Sequence, residues 1–290
     1  MAVVKRMKGD LDKRVAKKTK TAESAEGFKM PTSKNVPPDN LWDYITLLFG
    51  EKKIGKTSLL AAADGTFYFM FEPGAKSLSV YQHLFTRWAD FKMAVTAFIK
   101  DPRFTIAVID TVDLCYKMAE AYTLKRLGIE HASDEAYGKG WSAIRQEFTD
   151  QIMRIVNSGK GVVFISHATE KEVTLRGGGK YDKLMPTMPG QARDVIEGLV
   201  DIWGYYGYDG KDRVLTILGD DHIAAGHRLE HHFHAPDGTP LREIHMGSSA
   251  KEAYKNFIDA FNNRYTPKSK KTTDAPKKTG VVKKTLKKAS

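Results

Sequence analysis

The sequence predicts an α/β fold with a mostly parallel central sheet, flanked by helices and extended by antiparallel additions. Strand-like apolar runs alternate with helical patterns between residues 41 and 263, and glycine, aspartate or proline bounds the later runs. The chain has 290 residues, of which 41% are hydrophobic and 28% charged, as in one globular domain. Its longest apolar runs are too short to span a bilayer, so we expect a cytoplasmic protein with no membrane partner.

The predicted elements follow in a regular order along the chain. Strands are expected at 43–49, 66–71, 104–110 and 161–167, and helical patterns at 87–100, 112–127 and 138–157. Three later runs, 199–208, 213–219 and 241–246, are expected to be antiparallel additions, and a helix at 249–263 closes the domain. The single cysteine, Cys115, falls inside the helix at 112–127 and is expected in the core.

The positive charge of the chain lies in its two ends. Of the 46 basic and 35 acidic residues, segments 1–40 and 264–290 hold 20 basic and 6 acidic ones, which leaves the middle slightly acidic. Both ends have few large apolar residues, so we expect a basic, disordered N-terminal arm at 1–40 and a lysine-rich disordered tail at 264–290. Such arms either hold nucleic-acid phosphates or only solubilise the protein, and their charge pattern does not separate the two.

The segment "GEKKIGKT" fits the phosphate-binding pattern G-x-x-x-x-G-K-[ST]. It follows a predicted strand and opens a predicted helix, the context that this pattern requires. The glycines allow the backbone to bend around a phosphate, Lys56 is expected to neutralise the β and γ phosphates, and the Thr57 hydroxyl is expected to bind Mg²⁺. The predicted nucleotide-binding residues are Gly50, Glu51, Lys52, Lys53, Ile54, Gly55, Lys56, Thr57 and Ser58.

Two acidic residues at predicted strand ends are candidates for the metal and for catalysis. Asp110 closes the strand "TIAVID" and is expected to hold Mg²⁺ together with Thr57. Thr111 follows it, where many ATPases with this loop carry a catalytic glutamate. We therefore expect Glu72, directly after the strand "TFYFMF", to orient the attacking water. An ordinary solvated turn residue is the alternative for Glu72.

The combination of "GEKKIGKTS", "FEPGAKSL", "VIDTVD", "ISHATEKEV" and "GLVDIWG" resembles the RecA-like P-loop NTPase core. Over residues 41–248 it is similar to the phage-encoded single-strand-annealing ATPase group. The resemblance implies an ATP- and Mg²⁺-dependent enzyme with a RecA-like ATPase core at 41–263, acting on single-stranded DNA in phage recombination or annealing. It also implies a homo-oligomer, as a ring or a filament, in the host bacterial cytoplasm, and a single-strand DNA-binding protein as a further partner.

His167 stands where recombinases carry a glutamine, and the annealing-ATPase group resembles this chain in using histidine. The resemblance implies that His167 senses the γ-phosphate, whereas a satisfied structural histidine is the alternative. The segment that follows predicts a hairpin around Gly177 to Gly179, in the place of a DNA-contacting loop in the recombinases. Its candidate DNA-binding residues are Arg176, Lys180, Tyr181 and Lys183, and an ordinary exposed hairpin is nearly as good an interpretation.

Two other activities remain open from the sequence. The first is a P-loop kinase that transfers phosphate to a small acceptor, and the second is a nucleotide-gated DNA-binding scaffold without turnover. The histidines of "HRLEHHFH" do not favour a metal site, because the segment alternates like a strand and has no cysteine. Arg228 in the same segment is a weak candidate for completing the ATP site of a neighbouring subunit.

Overall fold

The computed structural model describes residues 30–267. Most of the predicted basic arms, residues 1–29 and 268–290, lies outside this range. Residues 30–37 form a separate exposed segment without helix or strand. Within 38–267, Tyr265 is buried, so the ordered core extends at least two residues past the predicted boundary at 263.

One sheet organises residues 38–267. Its strands, in chain order, are β1 Thr46–Gly50, β2 Thr66–Met70, β3 Tyr81–Leu84, β4 Ile106–Asp110, β5 Gly161–Thr174, β6 Lys180–Pro186, β7 Ile202–Asp209, β8 Asp212–Thr216, β9 Gly226–His227 and β10 Glu243–His245. Their order in the sheet is β10-β8-β7-β1-β5-β4-β2-β3, while β6 pairs with β5 and β9 pairs with β7. The six strands from β7 to β3 in this order run parallel to one another.

Helices cover both faces of the sheet. They are α1 Lys56–Leu60, α2 Trp88–Lys100, α3 Val112–Leu127, α4 Lys139–Val156, α5 Gly190–Leu199 and α6 Ala250–Phe261, with short 3-10 helices at Leu41–Asp43, Ala132–Asp134 and Ala136–Gly138. The buried residues of α4, Ile144, Phe148, Ile152 and Ile155, recur every three or four positions and form one apolar stripe, by which the helix packs in the core. Helix α3 ends at Gly128, which has a left-handed conformation.

The central strands are buried on both sides. Leu48 of β1 packs in one apolar cluster with α1 and α6, whereas Leu47 next to it packs in a second cluster with α2, α3, α4 and α5. All five residues of β1 and of β4 are buried, which is why these strands read as continuous apolar runs in the sequence. The burial leaves only the strand ends available for chemistry.

The predicted α/β fold is confirmed, with three differences. The run at 199–208 was expected to be an antiparallel addition. Strand β7 does pair antiparallel with β8 and β9, but it lies parallel to β1, because α5 returns the chain to the same end of the sheet. Strand β3 was missed, since its four residues are all exposed and show no alternation. Strand β5 continues seven residues beyond the predicted end at 167. Among residues 30–267, no helix is long and apolar enough to cross a membrane.

Candidate nucleotide site

The phosphate-binding pattern forms the turn between β1 and α1. Gly50 ends β1, and a Cβ built there would lie 1.9 Å from the carbonyl oxygen of Tyr206 on β7, so a side chain does not fit. Gly55, just before α1, has a φ of 111°, a conformation that glycine adopts without strain. Ile54 between them is fully buried and anchors the turn in the core. Residues 50–58 therefore have the backbone form that the sequence predicted.

Lys56 points into the turn and not into solvent. Its side chain is 5% exposed, and its Nζ donates hydrogen bonds to the carbonyl oxygens of Gly50 at 2.9 Å and Glu51 at 2.7 Å. Burial lowers the pKa of Lys56 to about 8, while the nearby carboxylates of Asp110 and Glu72 oppose this shift. An ammonium group held in a glycine-rich turn with little water around it is suited to binding phosphate oxygens.

Thr57 and Asp110 form the candidate metal site. The Thr57 hydroxyl donates to Asp110 Oδ2 at 2.6 Å, and Asp110 is 3% exposed at the end of β4. Burial raises the pKa of Asp110, and the hydrogen bond from Thr57 opposes the rise. A hydroxyl and a carboxylate oxygen this close, beside a phosphate-binding turn, are the hard oxygen ligands that Mg²⁺ takes. The residues present therefore fit the predicted metal.

Glu72 and His167 form a direct pair at the same end of the sheet. His167 Nε2 lies 3.1 Å from Glu72 Oε1 and 3.4 Å from Oε2, and both side chains are partly exposed. Glu72 follows β2 by two residues, and His167 on β5 lies opposite Gly50 in the register of the two parallel strands. The structure thus places the predicted catalytic carboxylate and the predicted sensor in contact, beside the turn that holds Lys56.

Asp113 is part of this site although sequence reasoning missed it. It lies in the first turn of α3, is 7% exposed, and its Oδ1 accepts hydrogen bonds from the hydroxyls of Ser166 at 3.0 Å and Thr187 at 2.5 Å. Its Oδ2 is buried and has no partner among the described residues. The backbone N–H of Thr187 donates to the carbonyl of His167 at 3.0 Å. Asp113 therefore joins the sensor strand to the end of the hairpin. The available signal was a second aspartate three residues after Asp110.

The hairpin predicted around Gly177 to Gly179 consists of the second half of β5 and of β6. Up to His167, β5 lies inside the central sheet, and from Ala168 onward it pairs only with β6. The residue following the candidate sensor is thus the first residue of the hairpin. Because β5 is continuous through His167, a shift of His167 can be transmitted along the strand to the hairpin.

The candidate DNA-binding residues lie on different parts of the hairpin. Arg176 is exposed at the tip, and Lys180 pairs with Glu172 at 2.7 Å. Tyr181 and Lys183 lie on a half-buried face, where the Tyr181 ring is 5.7 Å from that of His222. The opposite, exposed face carries three carboxylates, those of Glu170, Glu172 and Asp182. Among these candidates, the exposed and unpaired positive charge that favours DNA binding is therefore that of Arg176 at the tip.

The other sequence candidates lie away from this site. Among residues 30–267, no group of three or more His, Cys, Asp or Glu side chains is arranged to hold a metal ion. Arg228 donates to the carbonyl of Val200 at 2.7 Å and lies 3.7 Å from Asp201, so its guanidinium is held within its own chain. Cys115 is fully buried, and burial raises the pKa of its thiol.

Parts of this chain are similar to known proteins. Residues 43–229 match the model of the AAA_24 family, described as an AAA domain. A curated relative, the SPbeta prophage-derived uncharacterized protein YorG of Bacillus subtilis (strain 168), is 26% identical over 133 residues, 43% of this chain and 41% of the relative. The match thus spans about two fifths of that relative. The RadB recombinase structure matches with a TM-score of 0.40 and 11% identity, covering 72% of this chain and 89% of that one.

The family match covers the phosphate-binding turn, the metal pair, the Glu72–His167 pair and the hairpin in one stretch of sequence. The predicted resemblance to phage-encoded P-loop proteins is confirmed by this match and by the prophage relative. The chain therefore belongs to the AAA domain family AAA_24.

Proposed function

We propose that this protein hydrolyses ATP and couples the hydrolysis to single-stranded DNA in phage recombination or annealing. The observation that carries the proposal is the contact of 3.1 Å between Glu72 and His167, beside the buried Lys56 and the Thr57–Asp110 pair. A carboxylate and a histidine converge where the terminal phosphate of a nucleotide in this turn would end. A carboxylate beside the terminal phosphate does not favour nucleotide binding, because both groups are negatively charged, but it can orient an attacking water.

The residues divide the chemistry among them. Lys56 offers a positive charge to the phosphates, and Glu72 orients the attacking water and receives its proton. Thr57 and Asp110 hold Mg²⁺, which supplies charge neutralisation of the phosphate oxygens when it is bound. Most of the acceleration in such a site comes from positioning and from charge stabilisation, which these buried groups supply without rearranging.

His167 links the occupancy of the nucleotide site to the position of the hairpin. The Nε2 of His167 contacts the Glu72 carboxylate, and a γ-phosphate bound in the turn would compete for that contact. Exchange of partners moves the ring at the point where β5 leaves the central sheet and becomes the hairpin. The hydrogen bonds of Asp113 to Ser166 and Thr187 tie both sides of that point to the helix after Asp110. Nucleotide binding is thereby coupled to the hairpin.

The DNA is proposed to contact the hairpin tip and the basic arms. Arg176 is exposed there, and no ion pair among residues 30–267 includes it, so its guanidinium is available to a phosphate. Lys180, Tyr181 and Lys183 extend the contact along β6. Homo-oligomer formation and cooperation with a single-strand DNA-binding protein belong to the same proposal, and the prophage relative supports a bacterial cytoplasm as the setting.

His167→Ala is expected to uncouple ATP from DNA while ATP still binds. Fluorescence anisotropy with a labelled oligonucleotide measures DNA affinity with and without a non-hydrolysable ATP analogue. In the unmodified protein the analogue should strengthen DNA binding, and by linkage DNA should strengthen analogue binding by the same factor. In His167→Ala both factors should fall to about one.

Arg176→Ala is the matched variant for this experiment. Loss of a phosphate contact at the tip should weaken DNA binding in both nucleotide states and leave the coupling factor unchanged. Full coupling in His167→Ala would return this histidine to a structural role. Equal DNA binding by Arg176→Ala and the unmodified protein at several salt concentrations would remove the tip from the DNA interface.

A further inference from the structure

A cavity of about 470 Å³ is lined by residues of β7, β8 and α6, on the side of β1 opposite to Glu72 and His167. Small-molecule sites usually enclose about 300–1,000 Å³, so its size suits a nucleoside-sized group. It lies between the tip of the β7–β8 hairpin and the turn that leads into α6. Its walls include Tyr208, Arg213, Gly247, Ser248 and Glu252.

The residues paired with Gly50 on the two neighbouring strands indicate in which direction a bound nucleotide would extend along the edge of the sheet. On one side Gly50 is paired in register with His167, and on the other side with Tyr206. Glu72, His167 and Asp110 all belong to the first side, so the terminal phosphate must lie there if they act on it. The nucleoside end of the same molecule then leaves toward the second side, where β7, β8 and β10 lie.

Arg213 joins the cavity to the turn. A Cβ built on Gly55 would lie 3.8 Å from Arg213 Nη1 and 4.0 Å from the Tyr206 hydroxyl, so both groups border the turn directly. Burial raises the pKa of Tyr206, and the positive charge of Arg213 opposes that rise. Among the described residues no ion pair includes Arg213. A half-buried guanidinium that forms no ion pair with Asp212 or Glu252 of the same cavity, next to a phosphate-binding turn, is suited to an anionic ligand.

The cavity also has the groups that a base and a sugar require. Tyr208 lies directly opposite Arg213 in the pairing of β7 with β8, and its ring is 50% exposed. An exposed aromatic ring of this kind can stack on a base. The Glu252 carboxylate accepts from the backbone N–H of Ser248 at 2.9 Å, and both residues offer polar groups to ribose hydroxyls. Gly247 has a φ of 69°, and a side chain there would collide with Glu252.

We propose that this cavity binds the base and ribose of the nucleotide whose phosphates occupy residues 50–58, with Tyr208 stacking on the base and Arg213 at the junction with the phosphates. The proposal rests on the proposed nucleotide function. It assigns base recognition to β7, β8 and the start of α6. These elements carry none of the side chains proposed to act on the γ-phosphate. Discrimination between nucleotides is therefore separable from hydrolysis.

Comparison of ATP with inorganic tripolyphosphate tests the proposal, because the second ligand has the phosphates and lacks the nucleoside. Isothermal titration calorimetry with Mg²⁺ gives both affinities. Tyr208→Ala should weaken ATP binding about 5- to 100-fold, the usual loss for one aromatic stacking partner, and leave tripolyphosphate binding unchanged. Because Tyr208 is exposed, its replacement should not unfold the protein.

Tyr81→Ala is the matched control, since Tyr81 is an exposed tyrosine on β3 at the opposite edge of the sheet. Arg213→Ala should also weaken ATP binding and thereby test the second contact. Equal ATP affinity in Tyr208→Ala, Arg213→Ala and the unmodified protein would overturn the cavity assignment. If the unmodified protein bound neither ligand, the nucleotide function itself would fail, and the two outcomes are thus distinguishable.

Discussion

Lys56→Ala is expected to abolish measurable ATP hydrolysis and to weaken ATP binding about 10- to 100-fold, the effect of losing a charge-assisted hydrogen bond. Lys56 is the buried cation of the turn, and its Nζ already sits between the Gly50 and Glu51 carbonyls. Its loss leaves only backbone groups to face the β and γ phosphates. Calorimetric titration with ATP and a phosphate-release assay measure the two effects.

Lys100→Ala is the control for this substitution, because Lys100 is exposed at the end of α2 and lies outside the candidate site. Circular dichroism and thermal melting without nucleotide show whether Lys56→Ala keeps its fold. A folded Lys56→Ala protein that hydrolyses ATP at the normal rate would contradict the assignment of residues 50–57 to phosphate binding.

Glu72→Gln is expected to keep ATP binding and to lower turnover by about 10² to 10⁴. Glutamine has nearly the same shape and still forms a hydrogen bond with His167, but it does not accept a proton from water. The variant therefore separates chemistry from binding, whereas Lys56→Ala removes both. Turnover at saturating ATP and the affinity for ATP are the two quantities to compare.

Glu230→Gln supplies the matched change at an exposed carboxylate outside the site. Turnover in Glu72→Gln equal to that of Glu230→Gln would move the general base to another residue. Asp113 would then be the first to test, because its buried Oδ2 has no partner among the described residues.

Several residues of the candidate site could be chosen from the sequence alone, because they are close in the chain or stand at strand ends. The turn at 50–58 is a contiguous pattern with a fixed backbone form, so its identification needs no tertiary information. Asp110, Glu72 and His167 could be brought together because parallel strands direct their carboxyl ends to one edge of the sheet. The α/β fold followed from the alternation of strand and helix patterns along the chain.

What the sequence could not show depends on contacts between distant segments. Glu72 and His167 are 95 positions apart, and only the observed strand order places their side chains 3.1 Å from each other. Asp113 was missed because it resembles any polar residue of a first helical turn until Ser166 and Thr187 are seen to bind it. The parallel pairing of β7 with β1 was not predicted, since periodicity predicts a strand but not the strand beside which it lies.

The exposed charges of the β5–β6 hairpin also could not be predicted from the sequence. Alternation along β5 and β6 decides which charges are exposed, and a single sequence does not fix the register of the two strands. The observed register puts Glu172 opposite Asp182 on the outer face and Tyr181 on the half-buried face. Arg176 lies in the turn between the two strands, where the alternation does not apply. Of the predicted DNA-binding cations it is the one most accessible to a phosphate.

The rate of phosphate release from ATP, measured on the full chain with Mg²⁺ in the presence and absence of single-stranded DNA, tests the central claim most directly. The proposed function predicts release that rises when single-stranded DNA is added and falls when Glu72→Gln replaces the unmodified protein. Tight ATP binding without phosphate release in either condition would indicate a nucleotide-gated scaffold. Transfer of phosphate to a small acceptor, unaffected by DNA, would indicate a kinase, and either result would contradict the proposal.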